Sequence, residues 1–472
     1  YEYDTHIKGL ILSGSPHSVI NGNYPTINEN LIRLSEIPIL GICYGSQLIA
    51  RIYGEEVEKK EIGEFGKQDI IIYDNVNNNL LFDMPNKLSV WMSHSDTITT
   101  NNNIRVLSKT ENDVIAVYKV KNKSIYGVQY HPEVSHTQLG KDIFTNFIGI
   151  CNIKYDYNMT DFVKLKINQL KYDLGNDKVI MAVSGGVDST VAATLLHRAI
   201  GDNLYCIFVN NGLLRRGEYE QVQRCLLNCG LNVISIDESQ RFYNKLKGEN
   251  DPERKRKIIG GEFIKIFEAY ANSLRLKVPI KWLGQGTIYP DVIESVPGFG
   301  LIKSHHNVGG LPEHMNLSLV EPLRELFKDE VRKVGEELKL PSFMINRHPF
   351  PGPGLGIRIL GEVTEEKVKI LQEADAIFTN NLNKHNLYYL IWQAGVVLLP
   401  VKSVGVKGDV RTYEYTLAIR AVNSENGMTA EPYEFDMKFL KEVSTEIINK
   451  VKGINRVVYD ISSKPPATIE WE

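Results

Sequence analysis

Residues 178–209 read KVIMAVSGGVDSTVAATLLHRAIGDNLYCIFV, and their pattern indicates the fold of the middle of the chain. Lys178 to Val183 has the composition of a buried strand, and a helical pattern follows from Ser189 to Ile200. A second apolar run, from Leu204 to Val209, reads as another buried strand. This order of strand, helix and strand predicts a right-handed unit with a parallel sheet.

A glycine-rich loop joins the first strand to the helix, and it reads Ser184-Gly185-Gly186-Val187-Asp188-Ser189. Small residues let backbone amides approach an anion, and the helix N-terminus favours negative charge there. No Lys-Ser or Lys-Thr pair follows, so the loop differs from a Walker loop and does not indicate γ-phosphate transfer. Asp188 supplies a hard oxygen ligand that suits Mg²⁺ beside substrate phosphates. A simple tight glycine turn is the alternative interpretation.

The segments on either side of this one have different patterns of apolar and polar residues. Before residue 151, short apolar runs alternate with polar loops and helical patterns, as in α/β layers. The proline-rich turn from His348 to Gly354 cannot continue a helix, and helical and strand-like runs follow it. At about 150 residues per domain, 472 residues correspond to three domains. We predict an α/β protein with two parallel-sheet α/β domains, residues 1–155 and 156–346, and a small α+β domain, residues 347–472.

Composition excludes several classes of protein. The chain has 54 basic and 57 acidic residues, a net charge of −3, which argues against a strongly basic nucleic-acid-binding protein. No apolar run reaches the roughly 18 residues that a membrane-spanning helix needs. Five cysteines in 472 residues are too few for a disulfide scaffold, so we expect a reducing compartment, the cytoplasm. Neither nucleic acid nor a membrane is an expected partner.

A cysteine lies between glycines on a predicted strand-to-helix turn, Gly41-Ile42-Cys43-Tyr44-Gly45. In such a nucleophile elbow the glycines make room for a strained residue whose side chain is exposed at the end of the sheet. The helix that follows places its positive N-terminus under the sulfur and favours a reactive thiolate. A buried structural cysteine beside a tight turn is the alternative that the pentapeptide alone leaves open.

A histidine and a glutamate follow the predicted strand that ends at Tyr130, in the order His131-Pro132-Glu133. On an extended chain, residues two apart point to the same side, so His131 and Glu133 can act together. A carboxylate that orients an imidazole, which in turn activates a thiol, is a general arrangement for nucleophilic catalysis. A surface turn with an incidental histidine is the alternative.

Together, the strings from Gly41 to Gln47 and from Gly127 to Glu133 resemble the class I glutamine amidotransferases. In that family a cysteine attacks the carboxamide of glutamine and releases ammonia. The resemblance implies Cys43 as nucleophile, His131 as base and Glu133 as the residue that orients it. It assigns the oxyanion hole and glutamine binding to Gly14, the backbone amide of Tyr44, and Gln47.

The loop from Ser184 to Ser189 resembles that of the ATP pyrophosphatases, in which it holds the phosphates that leave together as pyrophosphate. Such enzymes adenylate a carbonyl oxygen, and a nitrogen or sulfur nucleophile then displaces AMP. The resemblance implies ATP at this loop, adenosine near Val209, Mg²⁺ with the ATP at Asp188, and no organic cofactor.

Nearly the whole chain resembles the family of glutamine-hydrolysing GMP synthetases. The strings that carry this resemblance are Lys255 to Gly260, Gly286 to Ser295, Ser304 to Gly310, His348 to Leu355 and Val457 to Glu472. The resemblance implies that XMP, ATP, glutamine and water give GMP, AMP, pyrophosphate and glutamate. It also implies a homodimer formed through residues 347–472.

The same resemblance, carried over position by position, predicts two further sets of residues. The first set would contact XMP and consists of Arg256, Pro351, Gly352, Asp409, Lys464, Ile469 and Glu470. The second set would belong to a lid over the adenylated intermediate and consists of Asp291, Glu294, Lys303, His305 and His306.

Other functions remain to be weighed against this one. A tRNA thiolase would need paired cysteines near the loop and a basic face, which the net charge of −3 does not favour. An NAD synthetase would lack the Cys-His-Glu segment, and a one-domain cysteine hydrolase would explain only the first third of the chain. A nucleotide-binding regulator with decayed sites would not be expected to keep Cys43, His131, Glu133 and Asp188.

Overall fold

The computed structural model describes residues 6–22, 24–76, 79–99, 102–134, 136–154, 158–294, 317–424, 427 and 429–472. The chain divides into two compact units, Tyr1–Asp156 and Tyr157–Glu472. The predicted boundary between residues 346 and 347 lies inside the second unit and stays a prediction.

The first unit combines one sheet with three described helices. In chain order its elements are β1 (Leu10–Leu12), α1 (Glu29–Arg33), β2 (Ile39–Ile42), α2 (Tyr44–Ile52), β3 (Glu56–Ile72), β4 (Lys87–Thr99), β5 (Ile104–Thr110), β6 (Ile115–Val120), β7 (Ile125–Val128) and α3 (Gly140–Ile150). The strand order is β1-β2-β7-β6-β5-β3-β4. Strands β1, β2 and β7 run parallel, and the remaining strands pair antiparallel.

The second unit contains two sheets. In chain order its elements are α4 (Met159–Leu174), β8 (Lys178–Ala182), α5 (Val187–Ile200), β9 (Leu204–Asn210), α6 (Glu218–Asn228), β10 (Val233–Asp237), α7 (Ser239–Leu246), α8 (Pro252–Arg275), β11 (Ile280–Gly284), α9 (Tyr289–Glu294), β12 (Ser318–Val320), α10 (Lys328–Glu337), α11 (Ser342–Ile345), α12 (Glu365–Lys384), β13 (Gln393–Lys407), β14 (Val410–Asn423), β15 (Glu431–Pro432), α13 (Met437–Lys450) and β16 (Ile454–Tyr459).

The first of these sheets is parallel throughout its described strands, in the order β10-β9-β8-β11-β12. The second sheet pairs β13, β14 and β15 antiparallel and adds β16 parallel to β14. The predicted α/β class is therefore confirmed.

A single hydrophobic core joins the two sheets of the second unit. It runs from Ile180 of β8 through Leu355 to Leu417 of β14, and all three side chains are fully buried. Each such side chain stabilises the fold by about 1.5–3 kcal/mol relative to exposure. Within the described residues, no helix is both long and apolar enough to cross a membrane.

Local sequence decides where the long helix α8 begins. The Asp251 side chain accepts a hydrogen bond from the Arg254 amide at 2.8 Å, and Pro252 occupies the first turn, where its missing N–H is not needed. Such a cap stabilises a helix by about 1 kcal/mol. It also places Lys255 and Arg256 in the first turns of α8, facing the last residues of the chain.

Candidate active site

Cys43 lies on the turn between β2 and α2 with a left-handed backbone, φ 49° and ψ −106°. A non-glycine residue in this region of backbone space costs about 1–3 kcal/mol, and such strain is concentrated at functional sites. The flanking glycines make the turn possible. A β-carbon on Gly45 would lie 2.1 Å from the Leu12 carbonyl oxygen, and one on Gly41 would lie 2.6 Å from the Gly45 backbone. The turn has the geometry of a nucleophile elbow.

His131 and Glu133 follow β7 and lie beside the cysteine. His131 Nδ1 is 2.7 Å from Glu133 Oε1, so the other ring nitrogen is the one that can exchange a proton with Cys43. The His131 amide donates to the Trp91 carbonyl at 3.0 Å, and the Thr137 hydroxyl donates to the His131 carbonyl at 2.6 Å. These backbone bonds hold the histidine in place.

Electrostatics favour the imidazolium form of this histidine. Hydrogen bonds to Cys43 and then to Glu133 raise the pKa of His131 from 6.5 to about 10, although burial alone would lower it. The raised pKa favours the protonated ring at neutral pH. An imidazolium beside a cysteine sulfur is suited to acyl chemistry, because it can give a proton to the leaving group.

Replacing Glu133 with glutamine removes one of the two causes of this pKa shift. We expect the pKa of His131 to fall, because the hydrogen bond to a charged carboxylate is lost. We also expect kcat for the hydrolysis of glutamine to drop about 10²- to 10⁴-fold, because the ring loses the carboxylate that orients it. A pH profile of glutamine hydrolysis checks this, and the alkaline limb should move to lower pH in the variant. An unchanged profile and rate would contradict a role for Glu133.

Two of the predicted oxyanion and glutamine-binding residues, Gly14 and Tyr44, lie beside Cys43. A β-carbon on Gly14 would lie 3.3 Å from His131 Cε1 and 3.8 Å from Cys43 Cβ, so the Gly14 backbone lies close to both catalytic candidates. Tyr44 is the first residue of α2, and its amide is one of the helix-end donors without an intrahelical acceptor. The Gln47 side chain is buried, and its amide nitrogen donates to the Asp96 carbonyl at 3.1 Å.

The glycine-rich loop of the second unit connects β8 to α5. Gly185 has φ 75°, a conformation that favours glycine. A β-carbon there would also lie 2.7 Å from the Val222 side chain, which leaves no room for a larger residue. Gly186 is the N-cap of α5 and contributes no capping side chain. The first-turn amides of the helix, beginning at Val187, are therefore available to an anion.

Two serines at the ends of this loop stabilise its shape. The Ser184 and Ser189 hydroxyls are 3.1 Å apart, and Ser189 also donates to the Gly186 carbonyl at 3.2 Å. The Ser184 hydroxyl accepts from the Gly186 amide at 3.2 Å. Hydrogen bonds of its own serines therefore help to fix the shape of the loop.

Asp188 in the first turn of α5 forms an ion pair with Lys328, the first residue of α10. The Lys328 ammonium lies 2.6 and 2.5 Å from the two carboxylate oxygens. In the described part of the chain, no cluster of three or more His, Cys, Asp or Glu side chains could hold a metal by itself. Mg²⁺ commonly takes one carboxylate together with phosphate and water oxygens, so Asp188 in the glycine-rich loop suits it.

Arg347 is a second cation at the loop that sequence reasoning missed. Its guanidinium donates to the Gly185 carbonyl at 2.7 Å and to Glu218 of α6. Val209 lies at the end of the neighbouring strand β9 and is 5% exposed. Both cations come from residues more than 130 positions after the loop, and no local signal points to either of them.

Several of the predicted XMP residues lie close together in space, around the side chain of Glu470. The Glu470 carboxylate accepts from Arg358 at 3.0 and 2.7 Å and from Gln393 at 2.7 Å. The same Gln393 amide donates to the Pro349 carbonyl, which brings the turn containing Pro351 and Gly352 close to Glu470.

Arg256, Lys464 and Ile469 belong to the same region. Arg256 donates to the Glu472 backbone carbonyl, and the fully buried Lys255 next to it forms an ion pair with the Glu472 side chain. Lys464 Nζ donates to the Gly427 carbonyl at 2.7 Å, and the Ile469 carbonyl accepts from Arg420 at 3.4 Å.

Asp409 is not brought to these residues within one chain. It lies at the exposed tip of the β13–β14 hairpin, where Lys407 pairs with Val410. The tip is separated from Arg420 by about 30 Å of extended strand.

The structure tests little of the predicted lid. Asp291 lies in α9, and its carboxylate accepts from the Ile288 amide at 3.0 Å. Glu294 is the last residue of the same helix. Lys303, His305 and His306 lie outside the described residues.

Family models match three successive parts of the chain. Class-I glutamine amidotransferase matches residues 1–150, NAD synthase matches residues 157–258, and the GMP synthase C terminal domain matches residues 380–471.

Similar proteins match over the full length. A glutamine-hydrolyzing GMP synthase of Cytophaga hutchinsonii is 53% identical over 100% of this chain and 92% of its own. Those of Porphyromonas gingivalis strain W83 and Bacteroides fragilis strain ATCC 25285 are each 52% identical over 99% of this chain and 92% of theirs. These relatives favour GMP synthesis over tRNA thiolation or NAD synthesis.

Proposed function

Because the chain belongs to the family of glutamine-hydrolyzing GMP synthases, we propose that it converts XMP to GMP with ATP and glutamine, using the residues described above. The overall reaction consumes water and releases AMP, pyrophosphate and glutamate. The observation that carries the proposal is the presence, in one chain, of a Cys43–His131–Glu133 site and a phosphate loop at Ser184–Ser189.

The first unit supplies ammonia in this proposal. The Cys43 sulfur attacks the carboxamide carbon of glutamine, and the oxyanion that forms is held by the Tyr44 amide and by the backbone at Gly14. The His131 imidazolium gives its proton to the departing ammonia, and water then releases glutamate from the thioester. Glu133 keeps the ring oriented through both steps.

The second unit activates the carbonyl that ammonia attacks. The purine oxygen of XMP attacks the α-phosphorus of ATP, and pyrophosphate leaves into the amides of the loop and the first turn of α5. Ammonia then displaces AMP and gives GMP. Lys328 and Arg347 lie where their charges would stabilise the leaving pyrophosphate.

We assign the Mg²⁺ that accompanies ATP to Asp188. Bound there with the phosphates, the ion would neutralise charge on the leaving pyrophosphate. Lys328 now occupies both carboxylate oxygens, so its ammonium would have to move toward the phosphates when the ion binds.

Nucleotide product analysis tests the proposal. Protein is mixed with Mg²⁺, ATP, XMP and glutamine, and a parallel reaction omits XMP. We expect GMP, AMP and pyrophosphate in equal amounts, and only when XMP is present. ATP turnover without GMP would show that the acceptor is a different molecule.

We further propose that the chain is a homodimer formed through the β13–β14 hairpin. Val404 and Tyr413 lie directly opposite each other in the register, are 52% and 67% exposed, and share a face with Val406, which is 73% exposed. A row of exposed apolar side chains on a long hairpin is typical of a protein interface.

Replacing Tyr413 with glutamate should convert the dimer to a monomer, because a charge would then be buried at the centre of this surface. Light scattering coupled to gel filtration measures the mass. Tyr172→Glu is a matched control, since Tyr172 is 90% exposed on α4, away from the hairpin. A monomeric unmodified protein, or a Tyr413→Glu variant that stays dimeric, would refute this interface.

The state of the cysteines supports a reducing compartment. All five are free thiols in the structure. We therefore propose that the enzyme works in the cytoplasm.

A further inference from the structure

Arg420 of β14 is a buried arginine whose role the reaction scheme does not explain. It is 5% exposed, and its guanidinium is directed into a loop that follows β16. We call residues 460–470 the tail loop. A buried cation is costly unless hydrogen bonds and charge partners replace its water.

The guanidinium bonds to both ends of the tail loop. At the entrance, Nη1 donates to the Ser462 carbonyl at 2.6 Å and to the Asp460 carbonyl at 3.4 Å, and it also lies 3.4 Å from Asp460 Oδ2. At the exit, Nη2 donates to the Thr468 carbonyl at 3.1 Å and Nε donates to the Ile469 carbonyl at 3.4 Å. One side chain therefore closes the loop.

The loop that Arg420 closes carries three of the predicted XMP residues, Lys464, Ile469 and Glu470. Other contacts fix parts of it. The Lys464 amide and carbonyl pair with Ala430 at 2.7 and 3.0 Å, and Trp471 Nε1 donates to Asp460 at 2.8 Å. The bond from Trp471 also links the exit of the loop to Asp460 at its entrance, but among the described contacts Arg420 is the side chain that bonds to backbone carbonyls at both ends.

We propose that Arg420 is a positioning residue for XMP: by closing the tail loop it holds Lys464, Ile469 and Glu470 in their binding arrangement. The inference rests on the proposed function of the chain. Arg420 does not touch the reacting atoms in this scheme, and its effect is on nucleotide affinity.

Lysine cannot replace arginine in this position. The donors of a guanidinium point in several fixed directions across a planar fork, whereas an ammonium is a single point on a flexible stem. An ammonium at residue 420 can bond to one end of the loop but cannot bridge both ends. Arg420→Lys keeps the charge, so it isolates the bridging geometry.

The test is steady-state kinetics of the full-length enzyme with each substrate varied in turn. For Arg420→Lys we expect KM for XMP to rise about 10- to 100-fold while kcat at saturating XMP falls less than about threefold, because the lost interaction is one of substrate binding. KM for ATP and KM for glutamine should stay within about twofold of the unmodified enzyme. Arg224→Lys is the control, since Arg224 is exposed on α6 of the same unit.

Three outcomes would overturn the inference. The first is an unchanged KM for XMP in a folded Arg420→Lys variant, and the second is a parallel rise in KM for ATP, which would indicate general loosening of the unit.

If Arg420→Lys does not fold, the Asp460→Asn variant tests the inference instead. It removes the carboxylate paired with Arg420 and should raise KM for XMP by about three- to tenfold. An unchanged KM in that variant would be the third. Unmodified enzyme that makes no XMP-dependent GMP would instead refute the proposed function, and this inference with it.

Discussion

Replacing Cys43 with alanine is expected to abolish glutamine-dependent GMP synthesis while synthesis from added ammonium salts continues. The sulfur is the nucleophile of the first half-reaction, and removing such a group lowers the rate by at least about 10⁴-fold. The phosphate loop belongs to the other compact unit, so adenylation of XMP does not depend on the thiol. GMP formation is measured with glutamine and, separately, with an ammonium salt at alkaline pH.

Cys151→Ala provides the matched control. Cys151 is also a buried thiol of the first unit, but its sulfur lies against Gly9 and not against His131. This variant should keep both activities. Loss of both activities in Cys43→Ala would show that the two chemistries are not separable, and full glutamine-dependent activity would exclude Cys43 as the nucleophile.

Replacing Asp188 with asparagine should have the opposite pattern of effects. We expect GMP synthesis from both glutamine and ammonium to fall about 10²- to 10³-fold, because the loop loses its anionic oxygen ligand and the charge partner of Lys328. Hydrolysis of glutamine to glutamate should persist. Pyrophosphate release and glutamate formation, measured in the same reactions, separate the two effects.

Asp202→Asn is the control for this variant. Asp202 is exposed just beyond the other end of α5, far from the phosphate loop. It should leave pyrophosphate release unchanged. If Asp188→Asn released pyrophosphate at the normal rate, Asp188 would have no part in binding ATP.

The phosphate loop and the cysteine turn were largely predictable from sequence. The predicted helix from Ser189 to Ile200 is observed as α5, which begins two residues earlier, and the predicted strand from Leu204 to Val209 is β9 with one added residue. These elements follow from hydrophobic period and from glycine at positions that leave no room for a side chain, and both are local properties.

The sequence predicted a parallel sheet in the first unit, and this prediction holds for only part of the sheet. Parallel pairing is limited to β1, β2 and β7, and antiparallel strands complete the sheet. Single-sequence patterns identify strands, but the partner of each strand depends on where the intervening chain returns. Asp409 also lies apart from the other predicted XMP residues. The strand β14 runs from the hairpin tip, where Asp409 lies, to Arg420, which contacts Ile469.

Local sequence was enough to predict the chemistry that we propose for the two units. A strained cysteine between glycines, a histidine and a glutamate two residues apart, and a small-residue loop at a helix start each need only neighbouring residues to be recognised. The distant charges that contact the glycine-rich loop and the tail loop follow from the tertiary structure: Lys328 pairs with Asp188, Arg347 donates to Gly185, and Arg420 bonds across the tail loop. Such contacts depend on the packing of elements far apart in sequence, so they leave no trace in the local pattern. For Arg420, which is buried, an unpaired charge would also be costly.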